Sequence, residues 1–256
     1  MAERVRSLDA ESIRRRDGLE WHQVGLPAGR AVFTTRIGGV GVPPYEGLNL
    51  SSLTGEDPAR VSENRARLAA AIGFDPLKIA VAEQVHGADL IGPSEGRSRS
   101  DAYLDPAAAL PRADGHFGSG PDFAAMVMVA DCLPVALGGA AGVALVHAGR
   151  RGLAGGIIER AVAAVDAAVA VIGVGIGPCC YQVGPEVLAQ FSAHSAVARG
   201  RMLDLRAVAV AILRGAGVGE ISQIDGCSRC DGERYFSHRR DGLASGRHGA
   251  LVGGVA

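Results

Sequence analysis

A single domain of alternating strands and helices is the fold class this sequence predicts, and three observations predict it. The chain has 256 residues, of which 48% are hydrophobic, enough to fill a substantial core. Apolar runs of strand length alternate with amphipathic runs of helix length, and no internal repeat interrupts them. No stretch has the length and composition of a linker between domains. Residues 1–20 read as an N-terminal extension and 21–256 as one domain.

The elements follow in order. "RAVFTTR" (30–36) reads as a strand and "IGGVGVPPYEG" as a turn-rich passage after it. A helix is predicted over 57–72, with Asp57 as its cap, Pro58 in its first turn and Gly73 behind it. "KIAVAEQVHG" reads as a strand ending near His86, and "SEGRSRSDAY" as a polar loop. Two apolar strands, 123–131 and 142–147, are expected to form an antiparallel hairpin. In that reading Pro134 stops the ladder so that Cys132 faces a cavity. A helix at about 156–167, a buried strand in "AVAVIGVGIG", a helix opened near Pro185 and another capped by Asp204 come next. Short strands at 220–225, 234–239 and 248–253 close the chain.

Composition narrows the function classes. A formal net charge of -1 gives no global field toward nucleic acid or an anionic membrane. Lys78 is the one lysine, so arginine carries nearly all the positive charge; this skew, with the abundant Ala and Gly, reads as genome composition. The charged N-terminus lacks the apolar core of a signal peptide, and the apolar stretches are too short and interrupted to span a bilayer. Five cysteines are too few for a disulfide scaffold. The expected location is the cytoplasm, with reduced thiols.

His86, Cys132 and His147 each stand at or near a predicted strand end. Two imidazoles and a thiolate suit zinc, and three protein ligands leave the fourth position of a catalytic site. The same residues also suit a plain core, where a lone Cys is a small hydrophobe and a His satisfies a backbone group. "CSRC" places Cys227 and Cys230 in a C-x-x-C, half of a zinc site unless Cys179 and Cys180 supply the rest; two thiols in a turn is the preferred reading. "GVGIGP" (173–178) does not fit a nucleotide-binding glycine loop and reads as a tight turn.

Five ordered motifs then carry a resemblance: "EQVHG" (83–87), "ADCLPV" (130–135), "VHAGRRGLAGGI" (146–157), "GIGPCCYQVGPEV" (175–187) and "YFSHRRDG" (235–242). "FTTRIGG", "GLNLS" and "DPARVSENRARLAAAIG" extend it over nearly the whole chain after about residue 20. The chain resembles the YfiH family, once labelled laccase-like polyphenol oxidases and now regarded as purine nucleoside phosphorylases with adenosine deaminase activity. The resemblance implies an α+β fold, a single catalytic domain of packed mixed β-sheets flanked by helices. It also implies metal ligands at His86, Cys132 and His147. One position departs from the family, which commonly reads His-Ala-Gly-Trp-Arg-Gly where this chain has Arg150 for the Trp. Apolar cover is lost there and a cation gained.

The resulting expectation is a zinc enzyme that phosphorolyses adenosine, inosine, guanosine or methylthioadenosine and deaminates adenosine. Its partners would be nucleosides and phosphate, with no nucleic acid or membrane, in a monomer or weak homodimer. Arg36 is the first candidate for gripping phosphate and Arg239 the next, because guanidinium binds oxyanions bidentately. Asn49 and Gln84 are candidates for ribose or base; on a strand, Gln84 would share a face with His86. Asp131 would face away from Cys132 as a structural acid. The oxidase label fits poorly, since none of the seven histidines forms a His-x-His pair, although copper could occupy one thiolate site adventitiously. Two rivals remain: a cysteine hydrolase in which His147 activates Cys132, with peptidoglycan-precursor editing as one form, and a non-enzymatic domain with a structural metal.

Overall fold

Strand Ala124–Val129 (AAMVMV) is buried at every residue. Strands Leu133–Gly139 and Gly142–Ala148 are buried throughout as well. Side chains alternate between the faces of a sheet, so a strand buried on both faces must be apolar without interruption. The computed structural model describes residues 5–8, 10–92, 101–194 and 197–254. Most of the polar loop expected at 94–103 lies outside them.

Two mixed sheets carry the fold. Following hydrogen-bonded neighbours, the seven-stranded sheet runs Arg6–Leu8, Glu220–Ile224, Ala167–Ile172, Leu133–Gly139, Gly142–Ala148, Gly115–Gly118 and Leu90–Ile91. The six-stranded sheet runs Ile13–Arg16, Leu19–Leu26, Gly29–Thr34, His248–Gly254, Ala124–Val129 and Ile79–Ala80. Phe33, Ala125, Val127, Ala250 and Val252 of the second sheet pack against Ala136, Val143, Leu145 and Val171 of the first. Helices Ile157–Val165 and Leu205–Gly215 cover the outer face of the seven-stranded sheet. Helix Pro58–Ile72 covers the other sheet through Leu68, Ala69 and Ile72. The α+β single domain of packed sheets flanked by helices is thus what the chain forms. The stretch read as an N-terminal extension adds one edge strand to each sheet.

Helix Pro58–Ile72 starts and stops where its sequence signals. The Asp57 side chain accepts the Ala59 N–H at 2.9 Å, and Gly73 takes the left-handed C-cap. Such a cap contributes roughly 1 kcal/mol. The helices opening at Pro185 and after Asp204 are likewise present.

Three expectations need correction, and one of them bears on the site. The strands 123–131 and 142–147 do not form a hairpin with each other. Ala124–Val129 lies in the six-stranded sheet, and the partner of Gly142–Ala148 is a separate strand, Leu133–Gly139. Pro134 therefore does not stop a ladder; it pairs with His147 inside one. The chain changes sheets at Ala130–Cys132, where Asp131 has a φ of 89°. Continuous apolar character hid this crossing, because both strands are buried on both faces. Second, the strand expected up to His86 ends at Ala80. The N–H groups of residues 85–87 bond a side chain instead of a neighbouring strand. Third, 234–239 is not a strand: His238–Asp241 is a helical turn capped by Ser237.

Candidate active site

Cys132 and His147 face one another because of the register. The first follows the sheet crossing directly; the second is paired with Pro134 two residues further on. His86 arrives from an irregular loop, in the left-handed region with a φ of 60°, a conformation that costs a non-glycine residue unless its surroundings hold it. Asp114 supplies the holding. Its carboxylate accepts the backbone N–H groups of Val85, His86 and Gly87 at 3.1, 2.9 and 2.6 Å. It also accepts Nδ1–H of His147 at 2.8 Å, and it is fully buried. One acid thus fixes the backbone that carries His86 and the ring of His147, and sets the His147 tautomer, leaving Nε2 for the site.

The donor atoms of His86, Cys132 and His147 lie within 4.8 Å of one another. The two imidazole rings meet edge to face, with centroids 4.8 Å apart. A Cβ built on Gly149 would stand 2.9 Å from the Cys132 sulfur and 3.2 Å from the His86 ring. Only glycine leaves the donors room at that point. These residues fit a metal ion, with two nitrogens and a sulfur converging and the fourth side open to the cleft. In the metal-free chain the same groups form an ion pair. Burial pushes the Cys132 thiol up, but the charge of His147 and hydrogen bonds from both imidazoles outweigh it and bring it down to about 6. Burial likewise pulls His147 down, while the thiolate and Asp114 hold it up at about 9. Asp114 itself stays below the usual carboxylate range: burial opposes this, but His147 and the loop N–H groups prevail.

These donors form the floor of a cleft of about 500 Å³. Ser51, Leu53 and Thr54 stand along one side; Tyr181, His238 and Arg239 stand along another. Arg150, Arg151, Arg239 and Arg247 all line it, whereas the one acid, Asp131, is already bonded. Asp131 accepts Ser228 Oγ at 2.7 Å and the Arg239 N–H at 2.6 Å. The walls are therefore strongly cationic, which favours an anionic ligand.

The other residues expected at the site are placed unevenly. Arg239 is at the cleft, its guanidinium 5.2 Å from the Tyr181 ring. Gln84 lines the cleft, but its amide is occupied: it donates to the Met128 carbonyl and accepts the Met128 N–H, both at 2.8 Å. Asn49 is fully buried, donating to Glu56 at 2.6 Å and accepting the Arg247 N–H at 2.8 Å. It reaches a ligand only through the Ser51–Thr54 turn and Arg247. Arg36 is not among the cleft residues. It donates to the carbonyls of Glu46 and Gly232 and stacks 4.3 Å over Phe236. Sequence reasoning missed Asp114, Tyr181 and Arg247. A buried acid in "RADGHFG" next to a His-bearing strand was the available signal for Asp114; the other two had none.

Residues 30–254 match the family model described as "Multi-copper polyphenol oxidoreductase laccase". The purine nucleoside phosphorylase YfiH of Shigella flexneri is 39% identical over 242 residues, covering 89% of this chain and 95% of its own. A purine nucleoside phosphorylase of Deinococcus radiodurans is 36% identical over 253 residues, with 90% and 93% covered. The crystal structure of YlmD from Geobacillus stearothermophilus superposes with a TM-score of 0.84 at 31% identity, covering 96% of this chain and 99% of that one.

Proposed function

The chain belongs to the family described as multi-copper polyphenol oxidoreductase laccase, and from that premise we propose that it is a zinc-dependent purine nucleoside phosphorylase that also deaminates adenosine. The observation that carries the reading is one cleft with His86, Cys132 and His147 at its floor and four arginines on its walls. Relatives named purine nucleoside phosphorylase support it. The word copper in the family description finds less support in the donors. Of the seven histidines, His22, His116 and His248 are buried elsewhere in the fold. Two imidazoles and one thiol suit one ion, and multi-copper chemistry requires many more nitrogens.

In phosphorolysis a phosphate oxygen attacks C1′ of the ribose as the bond from C1′ to the purine breaks, and the base leaves with a proton. The arginine walls hold phosphate; Arg239 is the first candidate, since its guanidinium lies over Tyr181 at the rim. Tyr181 and Leu53 offer apolar surface to a base or sugar. Asp114 holds the His147 ring through Nδ1 and the loop that carries His86 through its backbone N–H groups. In deamination the elements of water add at C6 and ammonia leaves. Zinc, held by His86, Cys132 and His147, would supply a Lewis acid and acidify a water molecule. Incubation with adenosine, with and without phosphate, tests the proposal by product separation. Ribose 1-phosphate should appear only with phosphate, in an amount equal to adenine plus hypoxanthine, and inosine should form with or without it. No base release and no deamination by the zinc-loaded protein would overturn it.

The thiolate–imidazolium pair, braced by Asp114, also favours a second reading, a cysteine hydrolase with Cys132 as nucleophile and His147 as base. Alkylation separates the two. A ligand thiolate is shielded by its metal, so Cys132 should react slowly in the zinc-loaded protein and fast after chelation. Rapid alkylation in both states, with hydrolytic activity surviving chelation, would favour the hydrolase.

A further inference from the structure

Cys179, Cys180, Cys227 and Cys230 take no part in the cleft, yet their sulfurs also lie within 4.8 Å of one another. Topology brings them together. Strands Ala167–Ile172 and Glu220–Ile224 are parallel neighbours, with Ile172 opposite Gln223. The chain therefore leaves both at the same edge, and the turns carrying "PCC" and "CSRC" emerge side by side. Each turn is fixed by its own backbone. Cys180 and Tyr181 N–H groups both donate to the Gly177 carbonyl, at 3.0 and 3.1 Å. Cys230 and Asp231 do the same to the Cys227 carbonyl, both at 3.0 Å.

The sulfurs have the spacing of a coordination shell. Cys230 lies 3.7 Å from Cys179 and 3.3 Å from Cys180. A tetrahedron of thiolates about 2.3 Å from zinc has edges of about 3.8 Å. One disulfide would leave two thiols over, and two would take up all four. Two of the sulfurs already meet donors: Gly177 N–H donates to the Cys227 sulfur at 3.2 Å, and Arg229 points at the Cys180 sulfur at 3.5 Å. A Cβ on Gly177 would stand 3.3 Å from the Cys179 sulfur and 3.5 Å from the Cys227 sulfur.

We propose that these four cysteines bind one zinc ion in a closed, four-thiolate structural site, separate from the cleft. Its effect reaches the cleft wall. Tyr181 follows Cys180 and lines the cleft; Ser228 follows Cys227 and holds Asp131, which in turn holds Arg239. An ion clamping the two turns fixes that wall.

The test is elemental analysis and native mass spectrometry of anaerobically purified wild type and of C132S, which removes a ligand from the cleft alone. One zinc per chain should remain in C132S, whatever the cleft binds or catalyses. The double variant C227S/C230S should lose that ion while Cys132 keeps its environment. Should that variant not fold, peptide mapping of alkylated wild type gives the same answer. The exposed Cys179 and Cys230 should resist alkylation until a strong chelator is added, then react together with Cys180 and Cys227. A C132S protein without zinc overturns the proposal. So does iron in its place, or a wild-type chain lighter by two or four hydrogens with one or two disulfides among these four residues.

Discussion

The cluster at His86, Cys132 and His147 and the cluster of four cysteines use the same sulfur chemistry on different mounts. The first stands where the chain crosses between two packed sheets, at the foot of a 500 Å³ cleft. One buried carboxylate braces it from behind. The second sits on two turns at the edge of one sheet, with Cys179 and Cys230 exposed. Each has a glycine, Gly149 or Gly177, where a side chain would run into sulfur. What differs is the donor count and what lies on the remaining side. Three donors facing a cleft leave a position for a ligand, whereas four donors close the shell and leave only a structural role. Residue type alone does not separate a cluster that could work on a ligand from one that could only staple two turns together. The open side does.

The largest expected effect is at the floor of the cleft. Cys132→Ser should take phosphorolysis and deamination together below about 1% of wild type, beyond the 10–100-fold typical for losing a ligand's hydrogen-bond partner. Unchanged turnover in this variant, measured on adenosine with phosphate, would break the comparison at its first term.

Asp114→Asn comes next. The amide can accept with one oxygen only, and its NH₂ must face N–H groups that now donate to a carboxylate. Metal affinity at the cleft should fall about 10–100-fold, and stability by about 1–3 kcal/mol, since buried donors lose their acceptor. Metal competition and urea unfolding would measure the two. The four-cysteine ion should be retained, and its loss in this variant would mean that the two sites are not independent.

How much of this was legible in the sequence follows from which contacts are local. Helix Pro58–Ile72 was readable to its ends because Asp57, Pro58 and Gly73 are local signals. The three cleft donors were nominated by position and by resemblance. The sheet crossing at Asp131 was not readable, because an apolar run looks the same whether it enters one sheet or two. Nor was the loop at His86, whose N–H groups find their acceptor 27 to 29 residues away. The surroundings of Arg36 were hidden for a related reason. "TTRIGG" places a cation beside a glycine turn, but only the fold shows that the Glu46 and Gly232 carbonyls take it up. The four cysteines were raised as one set, yet two thiols in a turn was the preferred reading, because the parallel pairing that joins the two turns spans about 50 residues.

The cation assignment yields a smaller effect. Arg239→Ala should raise the KM for phosphate roughly 10–100-fold, as expected for loss of about 1.5–3 kcal/mol from a charge-assisted contact. Deamination, which needs no phosphate, should change less. Arg36→Ala should instead lower the melting temperature and leave the phosphate KM within about twofold, since its donors bind carbonyls. Steady-state kinetics at varied phosphate, with thermal unfolding of both variants, decide the point. A large phosphate effect at Arg36 would return phosphate binding to that residue.

The smallest effect concerns histidines outside both clusters, whose titration must be separated before acid is used to strip either site. Burial pulls His116 down to about 4 and His248 to about 3, and it pulls His22 down as well. Between these values and 6.5 the unfolded chain binds protons that the folded chain does not, so stability falls as pH drops, by ~1.4 kcal/mol per pH unit for each such group. It is fully present above pH 6.5. The metal-free cleft pair contributes little slope between about 6.5 and 9, because the proton Cys132 gives up on folding is balanced by the one His147 takes. Urea unfolding of chelator-treated protein from pH 8 to pH 4.5 should therefore be nearly flat down to about 6.5 and then fall. His116→Phe should remove one group's share of that fall. A variant with the wild-type slope would place the acid sensitivity elsewhere, with the cleft's own donors the first to be examined.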